Sequence, residues 1–544
     1  MVGLVQTLRN GAKIVTFAEG SIRSEFCMNN GEKKKILWVD DEIDLLKPHI
    51  LFLHSKGYEV VSCISGNDAV EKVSQETYDL ILLDEQMPGL GGLDTLLRIR
   101  QTNPFLPIVM VTKSEEEQLM NEAIGREIAD FLIKPVNPNQ LLLSVKKVLQ
   151  KESLVSSTTM RDYNLFFREL SDKLSRDLSI EEWIRLYGDL AQWQIEIDEH
   201  YPELTDFLEG QKNEAERLFA KMITKNYKQW LSQPDNRPIL SPDLFKHKVF
   251  PLLDRGEKVF FVLIDNFRWD QWLSVKDLLG DLYSLQEDMY MAILPTATQY
   301  ARNAIFSGLM PNKIAQMFPS LWVDEESEEG KNINEEPLIA TLLERYRRKE
   351  TFSYHKVYDA SFGEKLLSNL HTLGRFDLNV IVLNFVDMLS HARTESKMIR
   401  ELAHTPAAYR SLTRSWFKHS TTYSLFKQMA EMGYKVILTT DHGTITVKKP
   451  IKVIGDRNTS TNLRYKLGRN LSYDPNEVFV VDNPESVGLP KSKILEKFIF
   501  CSENNFFAYP NNYNHYVKYY RDTFQHGGIS LEEMLVPIIT MQAK

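Results

Sequence analysis

The stretch KVFFVLIDNFRWDQW, residues 258–272, is an apolar run that stops at a carboxylate, Asp265. A run too continuous to alternate inside and outside reads as a strand buried on both faces, which belongs in a parallel sheet covered by helices. The pattern recurs twice. LNVIVLNFVDMLSHAR, residues 378–393, leads to Asp387, and GYKVILTTDHGT, residues 433–444, ends in Asp441 and His442. Functional groups in such sheets gather at the carboxyl ends of the strands, so three strands that each deliver a carboxylate predict one shared site.

The residues around these runs extend the pattern. Asp387 and His391 are four apart, and if the chain turns helical after the strand they lie on one face, as two metal ligands must. His526, in QHGG, can join them, the glycines allowing close backbone approach. Oxygen and imidazole donors without thiolates suit Zn²⁺ or Mn²⁺ better than Mg²⁺. In LPTATQYARNAIFSGLMP, residues 294–311, a Pro-Thr-x-Thr turn runs straight into a helical pattern. Thr is a weak helix former and a good N-cap, so Thr296 or Thr298 is expected at an exposed helix start whose N–H groups suit an anion. A plain helix cap is the alternative reading.

Taken together, these motifs resemble the alkaline phosphatase superfamily, specifically its PglZ-type domain, over residues 249–544. The resemblance implies an alkaline-phosphatase-like α/β domain with two zinc ions astride a hydroxyl nucleophile. Asp265, Asp441 and His442 would bind one zinc, with Thr298 as both ligand and nucleophile, and Asp387, His391 and His526 the other. Thr298 matches the nucleophile position of the nucleotide pyrophosphatase branch, which leaves Thr296 structural and points to phosphodiesters. Arg302 and Asn303, on the first turns after Thr298, read as a solvated helix face, with contact to a substrate oxygen as the alternative. DRNTSTNLRYKLGRN, residues 456–470, reads as a polar loop over the site whose Arg457, Arg464 and Lys466 supply positive potential for an anionic substrate, an oligonucleotide among them. The acidic run VDEESEEGKNINEE, residues 323–336, reads as a solvated loop.

A second set of buried runs lies nearer the amino terminus: KILWVDD (35–41), DLILLDEQMP (79–88), PIVMVTKS (107–114) and DFLIKPV (130–136), separated by helical stretches. Asp40, Asp41, Asp84, Thr112 and Lys134 fall at consecutive strand ends. Three crowded carboxylates repel one another unless a hard cation such as hydrated Mg²⁺ sits among them, and a Lys with a Thr hydroxyl can hold a phosphoryl group. This order resembles the response-regulator receiver domain, over residues 33–152, with a flavodoxin-like parallel sheet and helices on both faces. The resemblance implies Asp84 as phospho-acceptor and Asp40 and Asp41 as the acid pair for Mg²⁺. The Gln86 carbonyl would complete the magnesium shell, Thr112 and Lys134 would be phosphate partners, and Phe131 the aromatic switch. A sensor histidine kinase is the implied partner.

Between these regions, residues 153–248 read as a helical bundle linking the two. MRDYNLFFRELSDKLSRDL sets Leu165, Phe166, Leu170, Leu174 and Leu178 on one stripe, and Ser179 with Glu182 forms a capping box. Trp183, Trp193 and Trp230 are expected as core anchors. No compact basic recognition helix is evident.

At 544 residues, with 43% hydrophobic and 26% charged residues, the chain is an ordinary multidomain globular protein. A net charge of -9 and a pI near 5.8 argue against a protein built to coat duplex DNA. Cys27, Cys63 and Cys501 lie too far apart for a disulfide framework or a thiolate zinc site, which points to the cytoplasm. No run reaches the ~18 apolar residues of a membrane span. Residues 1–32 read as a poorly ordered extension, in which Met28 is an alternative start. The domain order resembles PorX-like two-component response regulators of type IX secretion. That resemblance implies a phosphorylation-controlled zinc phosphodiesterase with secretion-motor and sigma-factor partners and a phosphorylation-linked homodimer. The alternative is a non-catalytic, zinc-stabilised docking scaffold.

Overall fold

A computed structural model describes residues 34–112, 128–151, 157–201, 204–233, 237–325, 327, 330–403, 405–456, 459–490 and 496–544; the extension expected over residues 1–32 lies outside them. The chain divides into two compact units, Met1–Asn164 and Leu165–Lys544.

In the first unit, β1 (Lys35–Val39), β2 (Glu59–Cys63), β3 (Leu80–Asp84), β4 (Ile108–Thr112) and β5 (Asp130–Ile133) form a parallel sheet in the order β2-β1-β3-β4-β5. Successive residues of each run feed opposite cores. Ile36, Trp38, Leu80, Leu82, Val109 and Val111 pack with Leu53 of α1 (Lys47–Ser55). Leu37, Val39, Ile81, Leu83, Ile108 and Met110 pack with Ala69 and Val73 of α2 (Gly66–Gln75) and with Leu96 and Ile99 of α3 (Gly92–Thr102). α4 (Pro138–Lys151) adds Leu141, Val145 and Val148 to the first of these cores. At roughly 1.5–3 kcal/mol per buried aliphatic side chain, this two-sided burial explains why the runs carry no alternation.

In the second unit, β6 (Val259–Ile264), β7 (Tyr283–Met291), β8 (Phe352–Val357), β9 (Leu378–Leu383), β10 (Lys435–Thr439) and β11 (Leu535–Ala543) form a sheet in the order β7-β11-β10-β6-β9-β8. β10, β6, β9 and β8 run parallel, while β11 is antiparallel to both of its neighbours. The three strands singled out in the sequence are therefore adjacent and share one carboxyl edge.

The helical segment differs from a free-standing linker. α5 (Ser157–Leu174), α6 (Ile180–His200) and α7 (Thr205–Ser232) follow one another, and the expected Ser179–Glu182 capping box opens α6. The helices are fastened to the sheet domain. Tyr227 Oη accepts from Leu294 N at 2.9 Å, Glu216 accepts from Leu531 N at 3.0 Å, and Arg410 pairs with Asp198 at 2.6 Å. Trp183 is buried against Phe219, but Trp193 and Trp230 are only half-buried, Trp193 stacking on Phe166. Leu165 is 44% exposed, and Leu178 lies beyond the end of α5, so the apolar stripe is narrower than its spacing suggests. Among the described residues no helix is long and apolar enough to cross a membrane.

Because α6 and α7 supply buried partners to the sheet domain, a fragment spanning 165–544 is expected to melt in one cooperative transition, and a fragment spanning 249–544 to lose it. Calorimetry of the two fragments checks this, and equal melting temperatures would contradict it.

Candidate active site and metal centres

In the receiver-like unit, Asp40 follows β1, Asp84 ends β3 and Thr112 ends β4, all three buried. Lys134, just past β5, reaches Asp40 Oδ2 at 2.8 Å and Asp84 Oδ2 at 3.0 Å. Burial pushes the Asp84 carboxyl up, and the Lys134 ammonium pulls it back in part. Asp40, Asp41 and Asp84 each turn an oxygen into a space where these atoms lie within 4.8 Å of one another, a fit for a hard cation with oxygen ligands. Gln86 lies in the exposed loop after β3, and Phe131 on β5 is 37% exposed.

In the second unit, Asp265 follows β6, Asp441 and His442 follow β10, and Asp387 lies in the first turn of α9 (Phe385–Glu395) with His391 four residues on, 3.4 Å away. Two clusters result. Asp265, Asp441 and His442, all buried, put one donor each within 4.8 Å of one another, and Asp387, His391 and His526 do the same in a more open setting. The His442 and His526 rings stack with centroids 4.3 Å apart, so the clusters adjoin. His442 Nδ1 lies 3.1 Å from Gly443 O, and His526 Nδ1 lies 3.1 Å from Thr296 O. A carbonyl can only accept, so Nδ1 carries the hydrogen in both rings and each Nε2 keeps a lone pair for a ligand. Burial, reinforced by His442, pushes the His526 imidazole down to about 3, which keeps it neutral as a ligand must be. This donor set, with oxygens and imidazoles and no thiolate, fits a divalent transition metal.

Thr298 opens α8 (Thr298–Ser307). The N-cap is Ala297, without a side-chain cap bond, so the alternative of a plain threonine cap does not hold. Thr298 Oγ1 instead faces His442 Nε2 at 3.1 Å and Asp265 Oδ1 at 3.5 Å. Thr296 is wholly buried, donating to Gly528 O and accepting from Gly527 N. Gly443 must be glycine, because a Cβ there would meet the Glu532 carbonyl at 1.9 Å. Gly527, at φ +123°, lets the chain turn directly after His526.

Several expectations are overturned. Arg302 lies on no solvated face: its guanidinium is wholly buried, paired with Asp265, with Asp441 at 3.0 Å and with Glu335 at 3.3 Å. Asn303 is buried as well, bonding Lys331 O and Asn332. The acidic run is no plain solvated loop, since Glu335 is buried against Arg302, Tyr354 and Lys356, and Glu325 accepts from Tyr300 and Tyr465. The basic stretch 456–470 is partly a strand, Tyr465–Gly468. In it Arg464 is buried on Glu533 at 2.6 Å, and Lys466 is buried with Nζ on Ser460 O. Arg457 lies outside the described residues.

Sequence reasoning missed Asn266. Its backbone N–H donates to Asp441 Oδ1 at 3.3 Å and its side-chain amide to Asp387 Oδ1 at 3.2 Å, so it ties the two clusters together. Its φ of 60° is a left-handed conformation that Asn tolerates, and an Asp-Asn pair at a strand end was the available signal.

Comparisons with known proteins agree with this architecture. The family described as the BREX system PglZ alkaline phosphatase-like domain matches residues 244–541, more than half of the chain. The response regulator receiver domain matches residues 36–146. The chain belongs to the PglZ alkaline phosphatase-like family. Residues 153–231 match the PorX response regulator linker domain, so the domain order is that of a PorX-like response regulator. The chain is 32% identical over 128 residues to the alkaline phosphatase synthesis transcriptional regulatory protein PhoP of Bacillus subtilis, and 33% identical over 128 residues to the transcriptional regulatory protein ZraR of Klebsiella oxytoca. These matches cover 23% and 24% of this chain, and it spans 52% and 29% of those relatives' lengths. The chemotaxis protein CheY4 of Vibrio cholerae is 32% identical, covering 21% of this chain and 98% of its own, with a TM-score of 0.20.

A small phosphoryl donor such as acetyl phosphate is expected to modify the chain at Asp84 alone. Phosphate-affinity electrophoresis of the wild type and Asp84→Asn checks this, and a shifted band that persists in the variant would contradict it.

Proposed function

We propose that the chain is a phosphorylation-controlled response regulator whose output domain is a two-zinc phosphodiesterase with Thr298 as nucleophile. The observation that carries this reading is the Thr298 hydroxyl, 3.1 Å from His442 Nε2 and 3.5 Å from Asp265, beside two adjoining clusters of metal-ligating side chains. Asp265, Asp441 and His442 would hold one zinc ion, and Asp387, His391 and His526 the other. When bound, the ions would supply Lewis acidity and neutralise the charge that builds at phosphorus.

The residues perform the rest. His442 and Asp265 orient the Thr298 hydroxyl, and the start of α8 adds N–H dipoles that favour an anion beside it. Thr298 Oγ1 bonds to phosphorus as the ester oxygen departs, the hydroxyl proton passing to solvent; water then breaks the Thr298–phosphorus bond and regenerates the hydroxyl. Arg302, the arginine nearest Thr298 in sequence, is committed to carboxylates and is not available to neutralise a monoester dianion. That favours monoanionic diesters, nucleotide or oligonucleotide esters among them.

In the same reading, Asp84 receives its phosphoryl group from a sensor histidine kinase in the cytoplasm, beside a Mg²⁺ held by Asp40, Asp41, Asp84 and the Gln86 carbonyl. Thr112 and Lys134 then bind the phosphoryl oxygens, and Phe131 reports the change. The output bears on type IX secretion through a secretion-motor component or a sigma factor, with homodimer formation linked to phosphorylation.

Hydrolysis of a chromogenic phosphodiester and its monoester by zinc-loaded protein tests the proposal. The diester is expected to be the better substrate, with kcat falling by ~10³-fold or more in Thr298→Ala. Bound zinc without turnover of either ester would favour the zinc-stabilised docking scaffold instead.

A further inference from the structure

Of the three side chains in the more open cluster, Asp387 and His391 share one helix, α9, and keep their spacing by helical geometry alone. His526 comes from a separate turn and completes the cluster only if that turn is held against α9. The turn has little of its own to hold it. His526 is followed by Gly527 and Gly528, which bring no side chain and the widest backbone freedom of any residue. Larger residues do not fit in their place: a Cβ at Gly527 would meet Tyr465 at 2.7 Å, and one at Gly528 the Cys501 carbonyl at 2.5 Å.

Thr296, 230 residues away in the sequence, supplies the hold. Its carbonyl accepts from His526 Nδ1 at 3.1 Å, its hydroxyl accepts from Gly527 N at 3.0 Å, and the same hydroxyl donates to Gly528 O at 2.9 Å. One residue thus engages all three members of the turn. Gln525 pairs with Ile445 before the turn, and Gly528 N donates to Glu533 Oε1 at 2.9 Å at its end, so the chain is anchored on both sides of the His526–Gly527 segment that Thr296 pins. Thr296 is wholly buried, which keeps competing water away from these bonds. It also lies two residues before Thr298, so the same bonds set His526 relative to the Thr298 hydroxyl.

We propose that Thr296 is a positioning residue whose hydroxyl fixes the turn behind His526, and that the Asp387/His391/His526 cluster needs this hydroxyl to grip a divalent cation tightly. The proposal rests on the reading of this cluster as a metal centre. The Asp265/Asp441/His442 cluster is independent of the hydroxyl, because His442 is oriented by the Gly443 carbonyl at its own turn. A merely structural threonine would lower stability on removal and leave the relative affinity of the two clusters untouched.

The test uses the full-length chain in an Asp40→Asn/Asp84→Asn background, which removes two of the receiver's candidate cation ligands. Zinc binding is titrated in competition with a chromogenic chelator, and the step lost in His391→Ala is assigned to the Asp387/His391/His526 cluster. In Thr296→Val, which keeps the side-chain shape and removes the hydroxyl, zinc affinity at that step is expected to fall about tenfold, as loss of a ligand's supporting partner does, with the other step unmoved. Thr296→Ser keeps the hydroxyl and is expected to keep the affinity. If Thr296→Val does not fold, Thr296→Ala removes the same hydroxyl without added bulk and is read in the same way. A titration of the hydroxyl-free variant that superimposes on that of the unsubstituted chain, an equal fall at both steps, or a Thr296→Ser chain as weak as Thr296→Val would each overturn the proposal and leave the zinc reading standing. An unsubstituted chain with no zinc-binding step that His391→Ala removes would overturn both.

Discussion

Negative charge that must be buried is the constraint on which the second unit depends. Asp265, Asp441 and Asp387 converge at one sheet edge because β10, β6 and β9 are adjacent and parallel. At an effective dielectric constant near 20, two carboxylates about 5 Å apart repel by about 3 kcal/mol, so the edge is untenable without compensating charge or hydrogen-bond donors. The chain meets part of the demand itself: Arg302 lies between Asp265 and Asp441, and Asn266 donates to Asp441 and Asp387. Divalent cations at the two clusters would meet the rest. The receiver-like unit answers the same constraint on a smaller scale, where Lys134 reaches both Asp40 and Asp84.

The strands and their terminal carboxylates were legible in the sequence because a run buried on both faces leaves a local signature that needs no knowledge of distant contacts. The order of the strands within each sheet, and with it the adjacency of β10, β6 and β9, is not carried by that signature, because it is set by pairings between distant segments. The burial of charge could not be read either. Arg302 and Asp441 are 139 residues apart, and Arg464 and Glu533 are 69 apart, so nothing near either arginine marks it as interior. An exposed helix face and a basic loop were reasonable local readings, overturned by tertiary pairing. The acidic run failed for the same reason: Glu335 is interior only because Arg302, Tyr354 and Lys356 surround it. Thr298 opens a helix, as its sequence context suggests, and the alternative of a plain cap fails because its hydroxyl turns to His442.

The helical segment has a larger part than a spacer. α7 meets the sheet domain just ahead of the Thr296–Thr298 turn, through Tyr227 and Leu294 N, and again beside the turn that follows His526, through Glu216 and Leu531 N. Both turns border the clusters. From residue 165 onward, the segment matched to the PorX linker is thus built into the unit that carries the candidate active site.

Trapping the covalent species tests the central claim most directly. Zinc-loaded protein mixed with a phosphodiester and quenched in acid within one turnover can be digested and the peptide spanning residue 298 analysed by mass spectrometry. The account predicts that this peptide gains the mass of the esterified phosphoryl group, with the modification located on Thr298. Turnover without such an adduct, or with an adduct on another residue, would contradict it.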